Sequence, residues 1–315
     1  MIILDKEQIP KMVSMPEAID AMRSAFTQLS NGEAIVPTRL SLDIHDKNAT
    51  FLIMPAYAKG CPYYSVKIVS VNYSNPDKGL PLIQAVVQVF DAANVEQLAT
   101  MDGESITAIR TGAASGLATD LLANKDSKVA AIFGTGVQAD SHIKALIEVR
   151  GIERVLVFSR NKKSAELFCD LFSNKIKCEI GNIKSLCEAD IICTTTPSRL
   201  PLFKYENIKP GCHLNVIGSH QPSKREISSD IVENSKIIVD EIEACKKEAG
   251  DLIIPMDKGK WSFDSVHGEL GQVISGEVSG RDSEDEITLF KSVGNAIQDL
   301  ALANIIMKKI NNDRS

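Results

Sequence analysis

The hydrophobic pattern of the chain changes character near residue 125. In the stretch SMPEAIDAMRSAFTQLSNG, Ile19, Met22, Phe26 and Leu29 recur at helical spacing on one face, and Ser14 and Glu17 stand three apart as in a capping box. Pro16 suits a first helical turn and Gly32 ends the run, so the spacing predicts an amphipathic helix. The runs ATFLIMPAY, YYSVKIVSV and LIQAVVQVFDA follow, separated by Gly, Pro, Asn and Asp, and read as strands of an antiparallel or mixed sheet. TAIRTGAASGLATDLLA then reads as a helix rich in small residues.

From Lys128 the rhythm becomes strand, helix, strand. KVAAIFG, QADSHIKALIEV, RVLVFS, KKSAELFCDLF and KIKCEI alternate, and ADIICTTT, HLNVIGS and KIIVD supply further short apolar runs. Such alternation predicts a doubly wound parallel sheet with helices on both faces. After Glu286 the pattern turns helical, with Leu289, Val293, Ala296, Ile297 and Leu300 on one face, and this closing helix is expected to return to the first lobe. The fold class is therefore α/β: a doubly wound domain over 121–286 inserted in a second α+β domain made of 1–120 and 287–315.

Composition narrows the partners. A chain of 315 residues exceeds the usual single core, in keeping with two lobes. Lys and Arg number 35 against 41 Asp and Glu, and the net charge of −6 gives no global field for nucleic acid or anionic lipid. A small molecule is the expected partner. Seven cysteines lie scattered without a CxxC pair, several inside apolar runs, which fits a reducing cytoplasm. No N-terminal leader pattern and no bilayer-length apolar run is evident, so a membrane is not expected. The five histidines show no metal-ligand spacing, and no metal is predicted.

The sharpest motif is AAIFGTGVQAD, with Gly134, Gly136 and Ala139 in GxGxxA spacing directly after a predicted strand and opening a helix. There the first glycine makes the turn, the second lets the backbone approach a pyrophosphate, and the helix N-terminus attracts negative charge. A glycine-rich turn without a ligand is the bland alternative. The motif assigns Gly134, Thr135, Gly136, Val137 and Gln138 to a dinucleotide in a Rossmann-type domain. The next strand ends in Ser159, Arg160, Asn161 and Lys162, where a carboxylate would hold the ribose 2′-hydroxyl of NAD. A hydroxyl and a guanidinium bind a 2′-phosphate instead, so Ser159, Arg160 and Lys162 favour NADPH, with NADH as the second choice. The alternative is that Arg160 and Lys162 are the solvated start of the next helix.

The segments PTRL, SVKIVS, ITAIRTGAASGLA, FGTGVQA, TTTPS, GSHQPSKRE, HGELGQVISG and FKSVGNAIQDLA occur in this order across nearly the whole chain. Together they resemble the ornithine cyclodeaminase and mu-crystallin family. The resemblance implies a homodimer whose substrate sits between a discontinuous substrate-binding and dimerisation lobe and the Rossmann domain. It also implies that Arg39, Lys67 and Arg110 hold the substrate α-carboxylate. The residues agree independently: three cations in apolar settings are costly to bury unless an anion pairs with them, though internal salt bridges are the alternative for any one of them. Thr111 could donate a further hydrogen bond to the carboxylate or to a cofactor phosphate, or cap a helix. Thr194, Thr195 and Thr196 at a strand end, Ile217 and Ser219 at the next, and Glu269 are expected along the cofactor.

His220 follows Gly218 and Ser219 where the cyclodeaminases of that family carry an aspartate. Cyclodeamination oxidises a cationic amine, which a nearby anion assists. A histidine supplies no anion, but it can donate a proton to the nitrogen of an imine during reduction. The expectation is therefore NADPH-dependent reduction of a cyclic imine carboxylate, Δ1-pyrroline-2-carboxylate to L-proline, with the six-membered Δ1-piperideine-2-carboxylate to L-pipecolate next. His220 is the expected proton donor and Lys67 the other candidate. An ornithine cyclodeaminase or another amino-acid dehydrogenase is the alternative, and a non-catalytic NADPH-binding protein the second.

Overall fold

In the computed structural model, which describes residues 1–312, the chain separates into two compact units. The first comprises Met1–Thr111 and the chain from Asn295 onward, and the second Gly112–Gly294. The first unit contains β1 (Ile2–Leu4), α1 (Ile9–Met12), α2 (Met15–Ser30), β2 (Ala34–Ile35), β3 (Leu40–Ile44), β4 (Ala49–Ala58), β5 (Tyr63–Asn72), β6 (Ile83–Asp91), β7 (Gln97–Asp102) and the closing helix α10 (Ala296–Asn312). The long strands β4 to β7 form an antiparallel meander, β1 adds in parallel to β7, and β2 and β3 pair with opposite ends of β4.

The predicted capping box starts α2: the Ser14 hydroxyl accepts from the Glu17 amide and the Glu17 carboxylate accepts from the Ser14 amide at 2.8 Å. Ile19, Met22 and Phe26 are buried along one face, each stabilising the unit by roughly 1.5–3 kcal/mol. The helix α10 packs beside α2 and across β4 and β5. On β5 the inward positions are Tyr63, Ser65 and Lys67, every second residue as the pleat requires. A lysine thus occupies a core position of a sheet.

Helix α3 (Gly103–Leu122) runs through the boundary between the units without a break. The second unit contains β8 (Val129–Phe133), α4 (Val137–Val149), β9 (Arg154–Phe158), α5 (Lys162–Phe172), β10 (Lys177–Ile180), β11 (Ile191–Thr194), β12 (His213–Val216), α6 (Ser229–Glu233), β13 (Lys236–Val239), α7 (Ile242–Glu248), α8 (Gly250–Asp257), β14 (Gly268–Glu269), α9 (Leu270–Ser275) and β15 (Thr288–Lys291). Its strands are all parallel, in the order β10-β9-β8-β11-β12-β15-β13-β14. The chain winds from β8 outward through β9 to β10, then resumes on the other side of β8 with β11. That reversal is the topological switch point of a doubly wound sheet. Both faces are buried: Ala131, Leu156, Ile192 and Leu214 pack on one side, and Ala130, Ile132, Val157 and Cys193 on the other.

The structure corrects one element. Leu289 and Val293 do not lie on the closing helix: Thr288–Lys291 form β15, fully buried between β12 and β13, and the helix begins only at Ala296. A four-residue apolar run matches a helical face and a buried strand equally well, and Gly294 at φ +83°, which breaks the run, was the discriminating signal. The units accordingly divide at 111/112 and 294/295 rather than at 120/121 and 286/287.

Two histidines are structural. His142 on α4 is fully buried, with Nδ1 2.7 Å from the Gln138 carbonyl and Nε2 2.8 Å from the Ser115 hydroxyl. A carbonyl only accepts, so Nδ1 carries the proton and Ser115 donates to Nε2. Burial depresses its pKa to about 4, and burial together with the Arg281 charge depresses that of His213 to about 3. Each favours the neutral ring, so the stability it confers is complete above the unfolded histidine pKa and is lost as pH falls towards the folded value. Urea denaturation between pH 6.5 and 4.5 is expected to show His142→Gln less pH-sensitive than the parent by one proton, about 1.4 kcal/mol per pH unit; equal slopes would remove His142 from the acid response.

Candidate functional site

In the first unit two predicted cations share one carboxylate that the sequence did not mark, and a third acts on one of them. Lys67 projects from the inward face of β5, flanked in cross-strand register by Met54 and Val87, both buried. Its Nζ lies 2.7 Å from Asp299 Oδ2 on the first turn of α10. Arg110, buried on α3, places Nε 3.2 Å from Asp299 Oδ1 and donates through its Nη1 to Gln298 Oε1. Arg39, half-buried just before β3, is close enough for its charge to act on Lys67. Burial pushes the Lys67 ammonium down to about 8; Asp299 opposes that fall, and Arg110 and Arg39 add to it by repulsion.

Two buried cations sharing one carboxylate leave an excess of positive charge in an apolar setting. An incoming carboxylate would complete the pairing. The Thr111 hydroxyl donates to the Thr107 carbonyl at 2.6 Å in mid-helix, so Thr111 does not cap α3.

In the second unit the remaining predicted residues lie along the carboxyl ends of the parallel strands. Gly134 ends β8 at φ +112°, and a Cβ there would lie 2.7 Å from Thr195 Oγ1, so conformation and space both require glycine. Gly136 caps α4 with no atom within 4 Å of where a Cβ would stand, leaving its backbone approachable. Thr135 and Gln138 are half-buried in the same turn, Val137 is exposed, and Ala139 is buried beneath it. A glycine cradle at a helix N-terminus beside the switch point fits a dinucleotide pyrophosphate.

At the end of β9, Ser159 accepts from the Asn161 amide at 3.2 Å, and Asn161 caps α5 through the Ser164 amide. Arg160 and Lys162 are exposed, and Lys162 pairs with Glu166 one turn on at 3.7 Å, as a solvated helix start would. Thr195 donates to the Phe133 carbonyl at 2.8 Å and ties the end of β11 to that of β8. Thr194 is fully buried and its hydroxyl donates to Glu226 at 2.7 Å, away from the open edge. Thr196, Ile217, Ser219 and His220 follow on the two strand ends next to the switch point, His220 exposed.

Glu269 lies farther along the same edge. It ends β14 at the edge of the sheet, five strand spacings of about 4.8 Å from β8, where it accepts from the Ile242 amide at 2.9 Å and caps α9.

Sequence reasoning missed Asp299, Gln298, Glu226, Asp251, Lys291 and Asp240. All are at least nine-tenths buried. Asp299 and Gln298 interrupt an otherwise apolar helix stripe between Ile297 and Leu300, a signal that was legible. Lys291 inside the apolar run ITLFKSV was another.

Comparison with known proteins follows the same outline. The family model of the Ornithine cyclodeaminase/mu-crystallin family matches residues 1–314. The Δ1-pyrroline-2-carboxylate reductase of Bacillus cereus (strain ZK / E33L) is 37% identical over 314 residues, covering 98% of this chain and 96% of that protein. The structure of Thermococcus litoralis Δ1-pyrroline-2-carboxylate reductase in complex with NADH and L-proline superposes with a TM-score of 0.95 at 39% identity, covering 99% of this chain and 98% of that one. An archaeal alanine dehydrogenase dimer with bound NAD superposes with a TM-score of 0.93 at 34% identity over 100% and 97% of the two chains. The switch-point glycine cradle, the cation cluster and a family match over 314 residues agree, and the chain belongs to the ornithine cyclodeaminase/mu-crystallin family.

Proposed function

We propose that the protein is an NAD(P)H-dependent reductase that converts Δ1-pyrroline-2-carboxylate to L-proline, with Δ1-piperideine-2-carboxylate as the six-membered analogue. The observation that carries this reading is the excess of buried positive charge around Asp299, which calls for a carboxylate, in a chain that shares 37% identity with a reductase of that imine. The glycine cradle at 134–136 and the strand ends at 195–196 and 217–219 hold the dinucleotide. When bound, NAD(P)H supplies the hydride that arrives at the imine carbon.

Arg110, Lys67 and Arg39 neutralise the substrate carboxylate and orient the ring. The imine nitrogen gains a proton as the carbon gains the hydride, giving a secondary amine. Lys67 is suited to supply that proton, since a group poised at about 8 gives one up near neutral pH far more readily than an ordinary lysine. His220, exposed on the loop after β12, is the second candidate, as donor or relay.

Ser159 and Arg160 present a hydroxyl and a guanidinium to the adenosine ribose and support a preference for NADPH, with NADH also used, as in the Thermococcus litoralis complex. The exposed apolar residues Leu40, Leu42 and Ile44 on β3 support a homodimer, the state given for the alanine dehydrogenase neighbour. No helix among the described residues is long and apolar enough to cross a membrane, and the free cysteines fit a reducing cytoplasm.

Loss of NADPH absorbance with Δ1-pyrroline-2-carboxylate near neutral pH is the direct test, run beside NAD(P)⁺ with ornithine, proline and alanine. Fast oxidation of NADPH by the imine with little ammonia from ornithine is expected; inert imine with ammonia release would mark a cyclodeaminase. Arg110→Ala is expected to raise the imine KM roughly tenfold to a hundredfold, while His220→Ala lowers kcat more than cofactor affinity. Unchanged kinetics in the second variant would leave proton donation to Lys67.

Arg160→Ala is expected to weaken NADPH by roughly tenfold and leave NADH nearly unchanged. Equal effects on the two would discard the 2′-phosphate assignment. Replacing Asp299 by Asn removes the charge that holds the Lys67 proton, so the Lys67 pKa drops further and the alkaline limb of kcat/KM, expected near 8 in the parent, moves to lower pH. A limb that stays in place would show that Lys67 is not the titrating group.

A further inference from the structure

Beneath the strand ends lies a buried polar cluster that the reaction does not touch. Glu226 is fully buried at the end of the loop after β12. Its Oε1 accepts from the Thr196 amide at 2.6 Å and the Thr196 hydroxyl at 2.7 Å, and its Oε2 from the Thr194 hydroxyl and the Gly218 amide, both at 2.7 Å. One carboxylate thus joins the ends of β11 and β12. Gly218 is where they meet, since a Cβ there would fall 2.3 Å from the Thr196 carbonyl oxygen and 2.6 Å from Glu226 Oε1.

Asp251 on α8 holds Glu226 in turn, accepting from its amide at 2.7 Å and from the Ile227 amide at 3.1 Å. Lys291, fully buried at the end of β15, pairs with Asp251 at 2.8 Å and donates to the carbonyls of Ser219 at 2.6 Å and Val216 at 3.2 Å. The Ser219 hydroxyl donates to the Lys224 carbonyl at 2.7 Å, and Gly250 allows α8 to meet the loop, for a Cβ there would strike the carbonyls of Lys224, Gln221 and Pro222. Gly218 and Ser219, the two residues that lead to His220, are therefore held from beneath by charged groups withdrawn from water.

We propose that Glu226, braced by the Lys291–Asp251 pair, is a positioning residue: it sets the distance between the ends of β11 and β12 and so fixes His220 and the cofactor-facing backbone. A purely apolar plug would fill the same space at lower desolvation cost, so the cluster's return lies in geometry: four converging donors and a lysine that reaches two carbonyls specify one loop conformation. The inference rests on the reading of this sheet edge as the dinucleotide site.

Charge couples this clamp to pH. Glu226 is raised to about 7 by burial and by the Asp251 carboxylate, against the donors of Thr196 and Thr194 and the charge of Lys291. Lys224 and Arg225 precede it in the chain. When protonated, one oxygen becomes a donor among donors and a bond to the clamped loop is given up. The clamp is complete above about pH 7 and loosens below it.

NADPH fluorescence on the unmodified protein comes first: no binding would remove the sheet-edge reading and this inference with it. With binding in hand, Glu226→Gln, whose amide sets a donor against donors, is expected to lower kcat for imine reduction about tenfold or more near pH 7.5 while the imine KM stays within about twofold. The acid limb of the parent's kcat profile is expected to vanish in that variant, and Glu226→Asp to recover part of the rate. Thr194→Val, which removes one donor and keeps every charge, is expected to act in the same direction, by about threefold. A folded Glu226→Gln with the parent's kcat and acid limb overturns the proposal while leaving the dinucleotide reading intact. Should Glu226→Gln not fold, Thr194→Val with a lowered thermal midpoint but the parent's kcat and pH profile overturns it equally.

Discussion

Asp299 is the interaction on which the rest of the first unit turns. A lysine at a core position of an antiparallel sheet and an arginine inside a helix would each cost several kcal/mol if buried alone. Asp299 offsets part of that cost for both, one oxygen to each cation. It can do so because the chain leaves the first unit, folds a separate sheet, and returns as α10 across the strand that carries Lys67. The discontinuity of the unit is thus tied to its electrostatics: the cations come from before the inserted sheet and their counter-ion from after it. One carboxylate does not balance them, and burial, with repulsion from Arg110 and Arg39 added to it, holds Lys67 well below its ordinary range.

The second unit solves a different problem with the same chemistry. A parallel sheet delivers every strand's carboxyl end to one edge, but loops leaving that edge have no ladder to hold them. Buried carboxylates take over there. Asp240 accepts from the Ser292 hydroxyl and from the amides of Val293 and Gly294, fixing the exit from β15, and Glu226 does the corresponding work between β11 and β12. Asp190 binds the amides of Lys128 and Val129 at the opposite end of β8. The preorganised part of the edge is backbone, held by acids below, and the groups that would meet a ligand are left on top.

Periodicity made most of the fold legible because both of its signals are long-range averages. The capping box of α2, the alternation along β4 to β6 and the strand-helix rhythm after Lys128 each involve many residues that agree. β15 escaped because four residues carry too little period to separate a strand from a helix. The site divides along another line. Gly134 and Gly136 could be read because their demand is local, a turn and a close approach within three residues. Lys67 and Arg110 could be read because a charge among apolar neighbours is anomalous wherever it occurs. Asp299 and Asp251 act through partners at least 24 residues away, and Glu226 through Gly218, eight residues away, and through Thr194 and Thr196, so nothing adjacent in the chain announces them. Glu269, beside a glycine, has the local look of a ligand residue, and the sheet order sets it on the edge strand, far from the glycine turn.

The same cluster bears on how a proton reaches an imine. A carboxylate bound by Arg110, Arg39 and Lys67 would add negative charge beside the Lys67 ammonium and raise its pKa again, so that on the proposed reading substrate binding would load the donor. Passing that proton to the imine nitrogen changes no net charge within the cluster, whereas delivery from bulk water would bring a new positive charge into an already positive region. Once the nitrogen becomes a neutral-ring amine with its own affinity for protons, the balance reverses, and a neutral lysine beside two arginines is the form that repulsion favours. Oxidation of an ordinary amino acid would start from a cationic ammonium facing those same cations, with no carboxylate at position 220 to attract it. The cluster would therefore bind an anionic substrate with an uncharged nitrogen better than one with a cationic ammonium.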